Sequence, residues 1–294
     1  MSEKGFLTSS ILLFKSRKEV IFGVTWPTTL ATLIAGKGFP PISKTLLSIF
    51  AIMMLSLSVY IYNDIIDRKM DAYSNKEKKK GRPIAHGVVS VENAKLFVIF
   101  TSIIGLSISL LLGRVVFFLG IIYSILFYLY SYPRVRFKEK FIMKNVITSL
   151  VFPAGLLLGG AAIEGTISPI ILFLAVTEYI FMFLILPVGA DYLDLEEDKA
   201  FNIKTIGGTL SWRNNIILFN IGVIVIILST AISYFLFDIS YISFILMAVF
   251  GVPLMLYSIN LIKENGITAA YKLRPIGYTY LMLTPLFITI GVIF

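Results

Sequence analysis

The chain has 294 residues, 57% of them hydrophobic and 15% charged, with a mean hydropathy of +0.88. A soluble domain carries about 25% charged residues, so this composition is that of a polytopic membrane protein. There is no cysteine and one histidine, His86, which excludes disulfides, thiolate metal sites, a cysteine nucleophile and a multi-histidine metal centre. A net charge of +9 would suit nucleic acid, but its distribution along the chain argues against that.

The first apolar stretch, residues 6–14, is short and runs into Lys15, Arg17 and Lys18 with no small-residue cleavage pattern, so it reads as no signal peptide. Nine predicted spans follow: 18–36, 43–63, 93–113, 115–132, 145–163, 168–190, 214–236, 239–262 and 275–294. A helix crosses a bilayer with about 20 apolar residues, and barrel strands would alternate in polarity, which these runs do not. The third and fourth spans are parted only by Gly113 and Arg114. The expected fold is therefore an all-α integral membrane protein, one unit over residues 1–294, with about nine transmembrane helices.

Nearly all Lys and Arg fall at the N-terminus and in the loops after the second, fourth, sixth and eighth spans; the other side has Lys37, Lys44 and Arg114. This positive-inside asymmetry predicts a cytoplasmic N-terminus and an outer C-terminus. For Lys78, Lys79 and Lys80, topology with anionic lipid and direct substrate contact both remain open. Arg82 stands in a compact Gly81-Arg82-Pro83-Ile84 turn, which directs its side chain.

Where the second span meets its basic loop stands Asn63-Asp64-Ile65-Ile66-Asp67-Arg68-Lys69-Met70-Asp71. At roughly 100° per residue, Asn63, Asp64, Asp67 and Asp71 share one arc of a helix. Like charges so placed repel, and a set made only of oxygen donors suits Mg²⁺ better than Zn²⁺. The spacing recurs after the sixth span in Asp191, Asp194 and Asp198, again followed by a basic segment, 199–204. Solvated helix ends would explain one such motif; two at equivalent places on the same side predict a paired site for a metal–diphosphate. Two Mg²⁺ bridging a diphosphate, with loop cations on the remaining oxygens, make it a better leaving group. An allylic isoprenoid diphosphate would then leave a carbocation, with its tail among apolar helices.

Other residues carry weaker signals. Glu178 lies mid-span, where an acid is costly and marks a functional candidate, but by helical angle it points away from Asp191 and Asp198. His86 reads as a solvated loop residue. Pro187, one turn before Asp191, either tilts the second motif inward or is merely tolerated. Gly155, Gly159 and Gly160 form a close-packing face. Tyr123, Phe127 and Tyr130 follow one face of the fourth span, for packing or for cation–π shielding of a carbocation.

These residues resemble the UbiA superfamily of intramembrane prenyltransferases over essentially the whole chain. The family's NDxxDxxxD is met by Asn63, Asp64, Asp67 and Asp71, and its RPI-x-x-G by Arg82-Pro83-Ile84-Ala85-His86-Gly87. Its DxxxD is met by Asp194 and Asp198, extended by Asp191, and Lys204-Thr205 matches the KT that often follows. The resemblance implies a helical bundle around a central cavity, capped by cytoplasmic loops, and Mg²⁺-dependent prenyl transfer from an isoprenyl diphosphate. It implies that Asp67, Asp71, Asp194 and Asp198 are catalytic and, with Asn63, hold metal and diphosphate. Asp64 and Asp191 are then metal ligands or lie one layer out, and Lys80, Arg82 and Lys204 contact phosphate. Two departures stand: Glu197 replaces a common glycine, and segment 130–138 only loosely matches the family's Tyr-then-Lys/Arg pattern. Tyr130 and Arg136 are the substrate-binding candidates from that segment, with Arg134 and Lys138 beside them. The acceptor suggested by breadth of the family is an aromatic quinone precursor such as 4-hydroxybenzoate; geranylgeranylglyceryl phosphate is the alternative. A cation transporter is the rival class, although transporters place ion ligands near the midplane, and these acids sit at one boundary. No nucleic-acid partner is expected.

Overall fold

The computed structural model describes residues 5–73, 81–200 and 203–294, and among them every regular element is helical. In chain order these are α1 (Phe6–Ser16), α2 (Lys18–Ala35), α3 (Ile42–Tyr73), α4 (Val91–Leu112) and α5 (Arg114–Ser131). Then come α6 (Met143–Thr148), α7 (Val151–Glu164), α8 (Pro169–Leu186), α9 (Leu195–Ala200), α10 (Ile206–Thr209), α11 (Trp212–Phe237), α12 (Ile242–Asn260) and α13 (Gly266–Ile293).

Local chemistry sets the boundaries. The Ser90 side chain accepts from the Asn93 N–H at the start of α4, and Glu92 sits in its first turn. Gly113, at φ 135°, parts α4 from α5, a conformation open to glycine alone. The last helix begins nine residues before the expected 275, at Gly266, because Asn265 caps it and Pro275 lies within it without ending it. The second expected span, 43–63, also proves short: α3 continues to Tyr73 and carries all four polar residues of the first signature on helix.

Eight helical segments among the described residues are long and apolar enough to cross a membrane, not nine. The expected first span, 18–36, does form a helix, α2, but Lys18 and Glu19 in its first turn, with four threonines further on, lower its apolarity. Their hydroxyls are satisfied within the helix: Thr25 donates to Ile21 O, Thr28 to Val24 O, Thr29 to Thr25 O and Thr32 to Thr29 O. Such internal bonding lets a polar helix sit in an apolar bundle. One face of α2 packs on α7, where a Cβ at Gly155 would stand 2.9 Å from Val24 O and one at Gly159 would collide with Thr28 O. Close approach of backbones at small residues is how membrane helices associate.

The outer surface is apolar, the reverse of a soluble fold. Along α4, Leu96, Ile99, Phe100, Ile103, Leu110 and Leu111 are all more than half exposed. A stripe of that size has no place against water and faces lipid. Buried clusters fill the spaces between helices, one around Phe181, Ile216, Phe219 and Leu281, another around Ile52, Leu55, Val116 and Phe127.

Candidate active site

Both aspartate signatures line one cavity of about 240 Å³ at a single end of the bundle. Its walls include Asn63, Asp67 and Asp71 from α3, Arg82 from the following turn, Tyr130 from α5, and Asp194 and Asp198 around α9. Lys138 and Lys144 complete it. The pairing inferred from the repeated spacing is thus a spatial fact, made by the last turns of α3 and the segment that follows α8.

The first signature is neutralised residue by residue. Asn63 Nδ2 donates to Asp67 Oδ2 and to Ser131 Oγ, each at 2.8 Å. Lys138 donates to Asp67 Oδ1. Arg82 Nη1 donates to Asp71 Oδ2 and to Asp64 Oδ1, the latter at 2.6 Å. Arg17 Nε donates to Asp64 Oδ2 at 2.9 Å, and its Nη2 reaches Asp64 Oδ1. Asp64, although on the same arc as the others, is 2% exposed and is not among the cavity-lining residues.

The second signature follows a distortion. The helix of α8 widens into a π turn over Pro187–Asp191, with Tyr192 N–H donating to Pro187 O. Proline removes a donor, and π turns recur at functional sites. Asp191 is buried there, accepting from Asn145 Nδ2 at 3.0 Å and from the Gly207 N–H at 3.2 Å. Gly207 must be glycine: a Cβ would collide with Pro187 O and stand 2.7 Å from Asp191 Cβ. Lys144 Nζ bridges Asp191 Oδ1 at 3.2 Å and Asp198 Oδ2 at 3.1 Å. Burial pushes the Asp198 carboxyl above the usual aspartate range, against the pull of Lys144.

The two lysines arrive on a strained connection. Arg136 has φ 43° and Ile142 has φ 68°, ψ −45°. Met143 N–H donates to Phe141 O, which makes Ile142 the centre of a γ-turn of the rare hand. A β-branched residue there costs on the order of 1–3 kcal/mol, and the turn sets the register of Lys144 against Asp191. Burial holds the Lys138 ammonium below the usual lysine range, with Asp67 opposing.

Not every expected residue reaches the cavity. Lys204 is exposed and Arg136 pairs with Glu139 at 2.6 Å; neither lines it. Lys80 and the Glu197 side chain lie outside what the structure describes. Glu178 is 1% exposed, with no hydrogen-bond partner for either oxygen among the described residues, and is also absent from the lining. His86 is exposed on its turn. Tyr123 and Phe127 line a separate apolar pocket with Ile52, Leu119 and Pro153. Sequence reasoning missed Lys144 and Arg17. Lys144 sat at the edge of a predicted span, and Arg17 read as one more positive-inside charge; neither carries a local signature.

Among the described residues no three acidic side chains converge closely enough to hold a metal ion. The donor set nonetheless fits Mg²⁺: only carboxylates and a carboxamide, with Asn63 Oδ1 left as acceptor while its Nδ2 is engaged. The lysine ammoniums on Asp67, Asp191 and Asp198 stand where added cationic charge is stabilised.

Known proteins agree with this architecture. The digeranylgeranylglyceryl phosphate synthase of Sulfolobus acidocaldarius is 28% identical over 250 residues, covering 83% of this chain and 84% of that one. The 4-hydroxybenzoate octaprenyltransferase of Aromatoleum aromaticum is 27% identical, covering 61% of this chain and 59% of that one. A solved digeranylgeranylglyceryl phosphate synthase superposes with a TM-score of 0.78 at 21% identity, over 98% of this chain and 99% of that one. A UbiA homologue from Archaeoglobus fulgidus bound to GPP and Mg²⁺ gives 0.61 at 16% identity, over 93% and 99%. A sequence model of the UbiA prenyltransferase family matches residues 24–284, and with both signatures on one cavity the chain belongs to that family of membrane prenyltransferases.

Proposed function

We propose that this single unit transfers a prenyl group from an isoprenyl diphosphate, in a Mg²⁺-dependent reaction at the end of the bundle that faces the cytoplasm. The observation that carries this reading is the shared cavity: two carboxylate signatures, Arg82, Lys138 and Lys144 on one wall system. Asn63, Asp67 and Asp71 would hold one Mg²⁺ and Asp194 with Asp198 a second, with Asp191 fixing the second helix end. Bound there, Mg²⁺ supplies charge neutralisation for the departing diphosphate. Arg82, Lys138 and Lys144 bind and orient the diphosphate oxygens. The Tyr130 ring stands at the cavity wall, where it would shield the developing allylic cation. The nucleophilic atom of the acceptor attacks that cation, and its proton passes to a cavity carboxylate.

For the acceptor, the lipid-ether class, geranylgeranylglyceryl phosphate, comes first. It is supported by similarity along more than four-fifths of both chains to a digeranylgeranylglyceryl phosphate synthase. The aromatic quinone precursor is the second reading, supported by the partial-length similarity to 4-hydroxybenzoate octaprenyltransferases. No residue of the cavity by itself favours the aromatic.

The test is diphosphate release by purified protein with geranyl and geranylgeranyl diphosphate, Mg²⁺ and both acceptor classes, with EDTA as control. Release needing Mg²⁺ and the phosphorylated lipid supports the first reading; release with 4-hydroxybenzoate alone replaces it by the second. No release and no binding of any prenyl diphosphate returns the cation transporter. Asp67→Ala and Asp194→Ala should each abolish turnover while the protein stays folded, and normal activity in either removes the metal assignment.

A further inference from the structure

Asp64 belongs to the first signature by spacing, yet its surroundings differ from those of its neighbours. Both carboxylate oxygens are already engaged: Oδ2 accepts from Arg17 Nε at 2.9 Å, and Oδ1 accepts from Arg17 Nη2 and from Arg82 Nη1 at 2.6 Å. It is 2% exposed and stands behind the cavity wall. Arg17 is itself nearly buried, at 9%. It occupies the break between α1 and α2, where φ −122° and ψ 18° leave it outside both helices. Its Nη2 also approaches Tyr60 O at 3.4 Å, and its guanidinium lies 5.5 Å from the Tyr60 ring centre.

Arg82 is the member of this set that lines the cavity. Among the described residues it is held through Nη1, shared between Asp64 and Asp71. Its Nε and Nη2 make no hydrogen bond to these two carboxylates and are the nitrogens offered to an anion. The turn that carries it is anchored by buried Ile84 and Val89 and by Val88 N–H donating to Pro83 O. That fixes the backbone, but a long arginine side chain keeps several rotatable bonds beyond it. The charges alternate in space from Arg17 to Asp64 to Arg82 to Asp71. A buried guanidinium facing a carboxylate with two donors is the most directional ion pair available to a protein.

We propose that Asp64 is not a metal ligand but a positioning residue. Backed by Arg17 from the α1–α2 junction, it holds the Arg82 guanidinium against the cavity so that its Nε and Nη2 meet the substrate's diphosphate. This assignment rests on the prenyl diphosphate reading, and it makes Arg17, distant in sequence from both signatures, part of substrate recognition. The metal then sees Asn63, Asp67 and Asp71 alone on this side.

The experiment compares Asp64→Asn, Arg17→Lys and Arg82→Ala singly, and Asp64→Asn with Arg82→Ala together, in the full chain. Asp67→Ala serves as the metal-site reference. Direct binding of geranylgeranyl diphosphate and the Mg²⁺ half-saturation of that binding are read separately, with thermal unfolding as the check on folding. Asp64→Asn and Arg17→Lys should each weaken prenyl diphosphate about tenfold, the loss of one charge-assisted hydrogen bond, without moving the Mg²⁺ half-saturation. The double variant should bind no worse than Arg82→Ala alone, since both changes act through one guanidinium. Arg17→Lys keeps the buried charge, so it remains informative if Asp64→Asn unfolds. A rise in the Mg²⁺ requirement of Asp64→Asn like that of Asp67→Ala would make Asp64 a ligand and overturn the proposal. Additive losses in the double variant, or undiminished binding in Arg17→Lys, would overturn it too. Failure of the wild-type chain to bind any prenyl diphosphate would instead overturn the reading on which it rests.

Discussion

Replacing Lys144 with methionine tests whether the second signature is built to hold an exchangeable cation. The ammonium lies 3.2 Å from Asp191 and 3.1 Å from Asp198, with only 15% of the side chain exposed. Each such contact is worth about 5 kcal/mol at an effective dielectric of 20, most of it offset by desolvation of the lysine. What remains after truncation is the cost of two buried carboxylates without their shared partner. Removing one member of a buried pair costs about 3–5 kcal/mol; partial exposure places this case near the lower end, at ~3 kcal/mol. At about 2–4 °C per kcal/mol for a chain of this order of size, metal-free Lys144→Met should unfold roughly 6–12 °C below wild type. Saturating Mg²⁺ should recover much of that loss, because binding at a hundred times Kd adds about 2.7 kcal/mol, and the vacated carboxylates are now the better ligands. The assay is thermal unfolding in detergent, followed by the fluorescence of Trp26 and Trp212, with EDTA and with Mg²⁺. A deficit of the same size in both conditions would mean that metal does not take the place of the ammonium, and the reasoning fails. Prenyl diphosphate binding should weaken in the variant even where stability is restored, since the lysine also faces the cavity.

Two other substitutions probe the bundle away from the site. Gly159→Ala puts a methyl group against Thr28 O at the α2–α7 contact; it should cost about 1–3 kcal/mol, seen as a lower unfolding temperature, and an unchanged one would show that the helices part freely. Glu178→Leu removes a buried carboxyl whose oxygens have no partner among the described residues. It should raise stability by about 1–3 kcal/mol and leave diphosphate release at least partly intact. Loss of turnover with intact diphosphate binding would assign Glu178 a direct role.

The signatures were legible from the chain because helical spacing is local. Asn63, Asp64, Asp67 and Asp71 share an arc wherever α3 sits; the second triad repeats the spacing but not the arc, with Asp191 in the π turn, Asp194 in the turn after it and Asp198 on α9. Bilayer thickness likewise sets the length of an apolar run, so most spans were legible to within a few residues. The exceptions were α3, which runs on to Tyr73, and α13, which begins at Gly266, because polar residues and Pro275 can continue a helix beyond its apolar run. The sequence by itself determined an all-helical membrane bundle and the two acidic signatures along it. Tertiary structure alone decided which of them face each other. Lys144 reaches Asp191 across 47 positions and Arg17 reaches Asp64 across the same separation. Such contacts depend on how helices stack and on one strained turn at Ile142, neither of which leaves a periodicity to read. Asp64 and Asp67 are chemically alike and three residues apart; only the guanidinium that arrives from the N-terminal helix junction makes them different.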